Sequence, residues 1–230
     1  MWRDGVEYPG RGLAVGRDVD GVPFFSYWLT GRSAASQARE LVVRDREIVV
    51  RDTSGGPADD LRHYTAAIRG DDWVIVGNGT QVAELAALRG EEPDLQRAMR
   101  GLTYEPDPPI RTPRITAGAT VTSAGLTDVV IGAARPYDGA PEFTEHPSLY
   151  VARVAPGSAL TTTTYGGSAE NVIINGRPEM TAIPLRWGEV TDSLWQSLQP
   201  SLRVAAVTVP LDRSDFTGAV LRSRLDESGA

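Results

Sequence analysis

The order of its apolar patterns places this chain in the α+β class, as layered sheet with segregated helices rather than alternating βαβ units. Three observations carry that reading: short strand patterns up to residue 77, helical patterns between residues 80 and 101, and a second run of strands after residue 114. With 230 residues and no internal repeat, low-complexity tract or linker, the chain reads as one domain spanning 1–230.

From Gly12 to Val15 the chain is apolar and flanked by glycine, and Val22 to Leu29 is rich in aromatics. Asp20-Gly21 between them is a turn signal, so the two runs form a strand pair. Glu40 to Val43 and Glu47 to Val50 are further short strands, the second entering the loop Asp52-Thr-Ser-Gly-Gly-Pro57. Trp73 to Val76 is a strand ending at Gly77-Asn-Gly79. Val82, Leu85, Ala86 and Leu88 then follow helical spacing, with Thr80 as the expected cap and Gly90 as the stop. A second helix is expected from near Pro93 to Gly101, and Pro106 to Pro109 must be a loop, because adjacent prolines exclude regular structure. Strands are expected near Ile115 to Val121, Asp128 to Ala133, Ser148 to Val154 and Leu160 to Tyr165. Gly188 to Leu198 reads as a helix carrying Trp195, and Arg203 to Val209 as a late strand; the pattern after Asp212 defines no element.

Composition narrows the chemistry. Cysteine is absent, which removes disulfides, thiolate nucleophiles and cysteine metal sites. Lysine is absent too, so all 23 basic side chains are arginine, and Schiff-base chemistry and a lysine base are excluded. A net charge of -7 argues against a nucleic-acid partner, which needs a dense cationic face. A small anionic substrate needs only a few converging arginines. No apolar run nears the roughly 20 residues that span a bilayer, and no leader pattern opens the chain, so no membrane partner and a cytoplasmic location are expected.

Three blocks occur in fixed order: Tyr8-Pro-Gly-Arg-Gly-Leu-Ala-Val-Gly-Arg17, Gly77-Asn-Gly-Thr80, and Thr103-Tyr-Glu-Pro-Asp107 leading into Arg111-Thr-Pro-Arg-Ile115. Together they resemble the archaeal-type IMP cyclohydrolase family over roughly residues 8 to 170. The resemblance implies a four-layer α-β-β-α sandwich similar to N-terminal-nucleophile hydrolases, without their self-processing nucleophile. It also implies ring closure of 5-formamidoimidazole-4-carboxamide ribonucleotide to IMP with loss of water, a nucleotide substrate, and neither metal nor cofactor. Family members are often oligomeric, so a homo-oligomer is compatible.

That reaction asks a protein to orient two substituents already on one molecule, to stabilise a developing oxyanion, and to move protons. The resemblance aligns Tyr104-Glu105 with a family Tyr-Glu pair, which makes Glu105 the first candidate for proton transfer, with Tyr104 beside the substrate. Tyr64 lies fourteen positions before Asn78, the spacing that the resemblance implies for the family's active-site tyrosine, and is the second catalytic candidate, since a phenol can donate to an oxyanion. Arg17, Arg32 and Arg114 form the expected phosphate or oxyanion clamp, with Arg11 able to join them. Asn78, with Gly79 and Thr80, offers amide donors at a helix start. Thr164 and Tyr165, after Thr163, match a family Ser/Thr-Thr-Tyr and are expected to line the pocket.

Other signals are weaker. His63 and His146 are too far apart in sequence to suggest a zinc site, and Gly10-x-Gly12 and Gly166-Gly167 lack the context of a nucleotide fingerprint. The family pattern also breaks beside the expected site, at Ala34-Ala35-Ser36-Gln37, at Thr65-Ala-Ala-Ile-Arg69 and at Gly166-Gly167. These departures keep two alternatives open: a repurposed cyclase or amide-bond enzyme of secondary metabolism, and a non-catalytic purine-nucleotide-binding protein.

Overall fold

The structure is a computed structural model that describes residues 6–57, 59–90, 94–123 and 125–227. The chain runs through β1 (Arg11–Arg17), β2 (Pro23–Thr30), the single turn α1 (Ala34–Gln37), β3 (Arg39–Val43), β4 (Glu47–Asp52), β5 (Tyr64–Arg69) and β6 (Trp73–Gly77). The helices α2 (Gln81–Leu88) and α3 (Leu95–Met99) follow, then β7 (Arg114–Thr122), β8 (Gly125–Tyr137), β9 (Ala140–Glu145), β10 (Ser148–Arg153) and β11 (Ser158–Thr163). The last third holds β12 (Tyr165–Gly167), β13 (Val172–Ile174), β14 (Glu179–Ala182), α4 (Trp187–Ser197), β15 (Arg203–Pro210), β16 (Val220–Ser223) and α5 (Arg224–Glu227).

Two antiparallel sheets dominate. The first has the order β14-β11-β1-β2-β15-β16, and the second β10-β8-β7-β6-β5-β4-β3 with β9 attached to β8. Side chains alternate faces along a strand, and here the alternation assigns each face to a different core. Leu13, Val15, Phe25, Tyr27 and Leu29 of the first sheet share one cluster with Leu41, Val50, Val74, Val76, Ile115 and Ile131 of the second. The intervening positions Ala14, Phe24, Trp28 and Ala206 pack instead with Val190, Leu194 and Trp195 of α4. On the second sheet Ile75 and Val130 meet Val82 and Leu85 of α2 and Leu95 and Met99 of α3.

The helical cover is thin: eleven residues on the first sheet, eight and five on the second. Against the implied four-layer sandwich, the described residues therefore form a sheet-rich, mostly antiparallel α+β fold with few helices. The strand pair around Asp20-Gly21 is present, closed by Gly21 N–H donating to Asp18 O at 3.0 Å and Val22 N–H donating to Asp18 Oδ1 at 2.8 Å. Thr80 does not cap α2, because its own backbone is already helical and its hydroxyl makes no cap bond. The expected start of the second helix at Pro93 lies outside the described residues; the helix seen begins at Leu95, where Asp94 accepts from Arg97 N–H at 3.1 Å. The strand expected to run on to Tyr165 breaks at Thr164, and β5, β9, β13, β14 and β16 were not foreseen.

Gly12 sits at the centre of the first sheet, where an added methyl would stand 2.2 Å from the Trp28 ring. Gly12→Ala is expected to lower the unfolding free energy by about 1–3 kcal/mol through overpacking, measured by urea denaturation. Unchanged stability would mean that the Trp28 ring can retreat freely.

Candidate active site

At one end of the two sheets the inner-face alternation continues past the apolar residues into polar ones. Arg11 shares the parity of Leu13 and Val15, Arg39 that of Leu41, and Asn78 that of Val76. Each therefore projects between the sheets where the apolar filling stops.

Arg11 meets Glu105 there in an ion pair between two buried residues, 8% and 2% exposed. Asn78 locks the pair to the second sheet. Its Nδ2 donates to Glu105 Oε1 at 3.1 Å and to Pro113 O at 2.9 Å, and its Oδ1 accepts from Ile115 N–H at 2.7 Å. Gln81, also buried, donates to Asn78 Oδ1 at 3.3 Å. The amide orientation is thus fixed from the far side.

The loop that carries Glu105 is closed on itself. Glu105 N–H donates to Thr112 O at 2.8 Å, and the Asp107 carboxylate accepts from Thr112 N–H at 2.7 Å and from the Thr112 hydroxyl. The Thr112 hydroxyl also contacts the Tyr165 hydroxyl, and Tyr165 stacks on Tyr8 with ring centroids 5.6 Å apart. Gly10 permits this approach: at φ +70° it holds a left-handed turn, and a side chain would strike Thr164 Oγ1 and the Tyr165 ring.

Deeper between the sheets the Tyr27 and Tyr64 hydroxyls lie 2.8 Å apart, one from each sheet. Beside them Arg39 donates to Ser36 O at 2.8 Å and to Thr30 O at 3.1 Å. Tyr8, Arg11, Arg39, Arg62, Glu105 and Asp107 line a cleft of about 430 Å³, within the size range of small-molecule sites.

Burial sets the electrostatics. It raises the Glu105 carboxyl above its usual value, and the Arg11 guanidinium opposes this without cancelling it. Arg11 is itself held well above its usual value: burial alone would lower it, but Glu105, Tyr64 and Tyr165 together raise it. Burial lowers Arg39, with Tyr64 acting against it. Burial raises Tyr27 well above the ordinary tyrosine range and pushes Tyr165 up to about 12. Of these shifted groups Glu105 is the one carboxyl, and its shift is toward holding the proton.

A family model described as IMP cyclohydrolase-like protein matches residues 8–215. The chain belongs to that family. The match extends past the stretch near residue 170 where the motif resemblance ends, through α4 and β15. Comparison with curated proteins yields no match.

Of the residues expected in an IMP cyclohydrolase-like site, the structure brings Glu105, Tyr64, Asn78, Thr164 and Tyr165 to one end of the sheets. Two of them are occupied within the protein. Asn78 is fully buried and spends its amide on Glu105, Pro113 and Ile115, so it supports the carboxylate instead of offering donors at the helix start. Thr164 accepts Arg11 N–H at 3.0 Å and donates to Pro9 O at 3.2 Å, which fastens the start of β1.

Arg32 is exposed at the rim, with its guanidinium carbon 6.0 Å from the centre of the Tyr8 ring and a bond of 3.1 Å to Ala169 O. Arg114 reaches Glu105 through its charge. Arg17 is set apart. It has the same inner parity as Arg11 but stands at the opposite end of β1, about 20 Å away by strand rise, where it donates to Gly21 O at 2.9 Å and holds the β1–β2 turn. Tyr104 also turns away, donating to Pro141 O at 2.7 Å, because neighbouring residues of an extended segment face opposite sides. Arg39, Tyr27, Tyr8 and Gln81 were not foreseen. For Arg39 and Tyr27 the usable signal was strand parity: each is a polar group in line with buried apolar residues.

Among the described residues no cluster of histidine, aspartate and glutamate is placed to hold a metal ion. Nor is any described helix long and apolar enough to cross a membrane.

A carboxyl whose folded pKa exceeds its unfolded one binds its proton more tightly in the folded state. Its contribution to stability is therefore fully present below the ordinary value of 4.5 and declines as pH rises toward the raised value. The unfolding free energy of the wild type minus that of Glu105→Gln is expected to fall as pH rises above 4.5 and then to level off. Paired denaturant titrations across pH test this, and a flat difference would return Glu105 to an ordinary value.

Proposed function

We propose that this protein is an IMP cyclohydrolase-like enzyme that closes the purine ring of 5-formamidoimidazole-4-carboxamide ribonucleotide, releasing water and IMP. The observation that carries the reading is Glu105, a buried carboxyl with raised proton affinity, held by Arg11 and Asn78 in the wall of a cleft lined by arginines. The family membership supports the reaction class. The two sheets, with α4 outside one and α2 and α3 outside the other, support a reduced form of the four-layer arrangement on a single domain.

The substrate contains its own nucleophile, so orientation supplies a large share of the acceleration. The carboxamide nitrogen forms the new C–N bond to the formyl carbon, and the formyl oxygen takes up the electron pair of the C=O bond. Tyr64 donates to that developing oxyanion beside the positive charges of Arg11 and Arg39. Glu105 transfers protons: it carries the one lost by the attacking nitrogen to the oxyanion, and then the one lost by the former formamide nitrogen, which forms the C=N bond, to the hydroxyl, which leaves as water. Of the arginines in the cleft wall Arg11 pairs with Glu105 and Arg62 with Asp52 and Asp59, so Arg39, with Arg32 at the rim, supplies the charge that suits an anionic substrate. Neither a metal ion nor a cofactor enters these steps.

Purified protein is expected to convert the formamido ribonucleotide to IMP, followed by ultraviolet absorbance against an uncatalysed control. Glu105→Gln should lower kcat by about 10²–10⁴-fold, the range for a lost general acid or base, while the circular dichroism spectrum stays unchanged. A folded wild type without turnover would sink the assigned reaction, and a fully active Glu105→Gln the assigned residue.

A further inference from the structure

The Tyr27–Tyr64 contact crosses the gap between the sheets inside an otherwise apolar cluster. Tyr27 is wholly buried among Phe25, Leu29 and Val207, and among the described residues its hydroxyl has one partner, the Tyr64 hydroxyl at 2.8 Å. A buried hydroxyl that fails to donate costs on the order of 1–3 kcal/mol, and burial makes Tyr27 hold its proton tightly. Tyr27 is the more deeply buried of the two, 0% against 4% exposed, so its hydroxyl is the one assigned as donor and the Tyr64 oxygen as acceptor.

Two hydroxyls in contact share one proton between them, so the proton of Tyr64 points elsewhere. The charged side chains that act on this pair are Arg11 and Arg39, and guanidinium groups donate without accepting. They leave the Tyr64 proton unclaimed. Both arginines line the cleft, and of the two phenols Tyr64 acts more strongly on Arg39, which sets it on the cleft side of the pair. Arg39 strengthens the bias: its bonds go to backbone carbonyls, and among the described residues no carboxylate forms an ion pair with it, whereas Arg11 is neutralised by Glu105. The positive charge beside the two phenols favours negative charge on whatever oxygen Tyr64 meets.

We propose that Tyr27 is a positioning residue for the ring-closing reaction: by donating to the Tyr64 oxygen it aims the Tyr64 proton at the oxyanion of the substrate. The role rests on the cyclohydrolase reading, whereas the direction of the hydrogen bond does not. Tyr27→Phe removes one buried oxygen and is expected to lower kcat by about 10–100-fold with KM unchanged, less than the 10²–10³-fold of a lost oxyanion donor in Tyr64→Phe. In the Tyr64→Phe background, Tyr27→Phe should add no further loss, because Tyr27 acts only through Tyr64. A purely structural tyrosine would give an additive loss in the double variant, and that result, or full activity of Tyr27→Phe, would overturn the role.

Proton nuclear magnetic resonance of the tyrosine-labelled wild-type protein reads the bond without turnover. A slowly exchanging hydroxyl proton on Tyr27, lost in Tyr27→Phe and shifted in Tyr64→Phe, is the expected result. The same proton carried by Tyr64 would overturn the inference even in an active enzyme. If the wild type fails to close the ring, the function falls, and the resonance still decides which hydroxyl donates.

Discussion

The ion pair between Arg11 and Glu105 is the constraint on which the rest of this end of the molecule depends. Taking two charges out of water costs several kcal/mol per ion, and the attraction between them offsets that only when the remaining hydrogen-bond capacity is met. The required partners come from separate parts of the chain. Arg11 opens β1 of the first sheet, Glu105 sits in the proline-rich loop before β7, and Asn78 lies just past β6. The pair therefore ties the two sheets together at one end, and the Asn78 bonds to Pro113 and Ile115 fix the loop to the sheet it enters. Removing either charge would leave the other buried and unpaired, which is the costly case.

The place of the cleft follows from strand periodicity. Each sheet turns one face to the other, and the residues on those faces are apolar along most of their length. At one end the same face goes on as Arg11, Arg39, Tyr64 and Asn78, with Tyr27 further in between Phe25 and Leu29, so the polar cluster is an extension of the apolar core by the same alternation. The apolar residues behind it exclude water, and low local polarity is what gives a single carboxyl or hydroxyl a large electrostatic effect. Gly10 and Thr164 close the arrangement by bringing the start of β1 against Tyr165.

Much of this was readable from the residue order, and what was missed has physical causes. The strand pair around Asp20-Gly21, the strand ending at Gly77 and the helix with Trp195 were legible because alternation, turn residues and helical spacing are local. The strand Tyr64–Arg69 was not, because the alanines at 66 and 67 carry too little hydrophobic contrast to mark a period. Glu105 was singled out by a family block and Tyr64 by a family spacing, and the structure sets both beside Arg11. Arg17 was misplaced next to Arg11 because a motif records proximity along the chain, while a seven-residue strand separates its ends by most of the length of the sheet. Asn78 was read as a ligand for substrate because its neighbours Gly77 and Gly79 suggested an open turn. Only the tertiary structure shows that its amide is consumed by Glu105, Pro113 and Ile115.

The absence of lysine sharpens how the buried groups divide their roles. An arginine stays protonated at any pH an enzyme meets, so neither Arg11 nor Arg39 can take part in proton exchange. Their charges are fixed, and the variable partner of the ion pair must be Glu105. Burial raises that carboxyl's affinity for a proton, while Arg11 limits the rise. The tyrosine pair has the opposite setting, since burial keeps the proton on Tyr27 and leaves fixed positive charge beside both phenols. On the proposed reaction, one environment thus produces a group that moves protons and another that holds charge still. The division arises from where each residue ends on its strand and needs no special chemistry in the residues themselves.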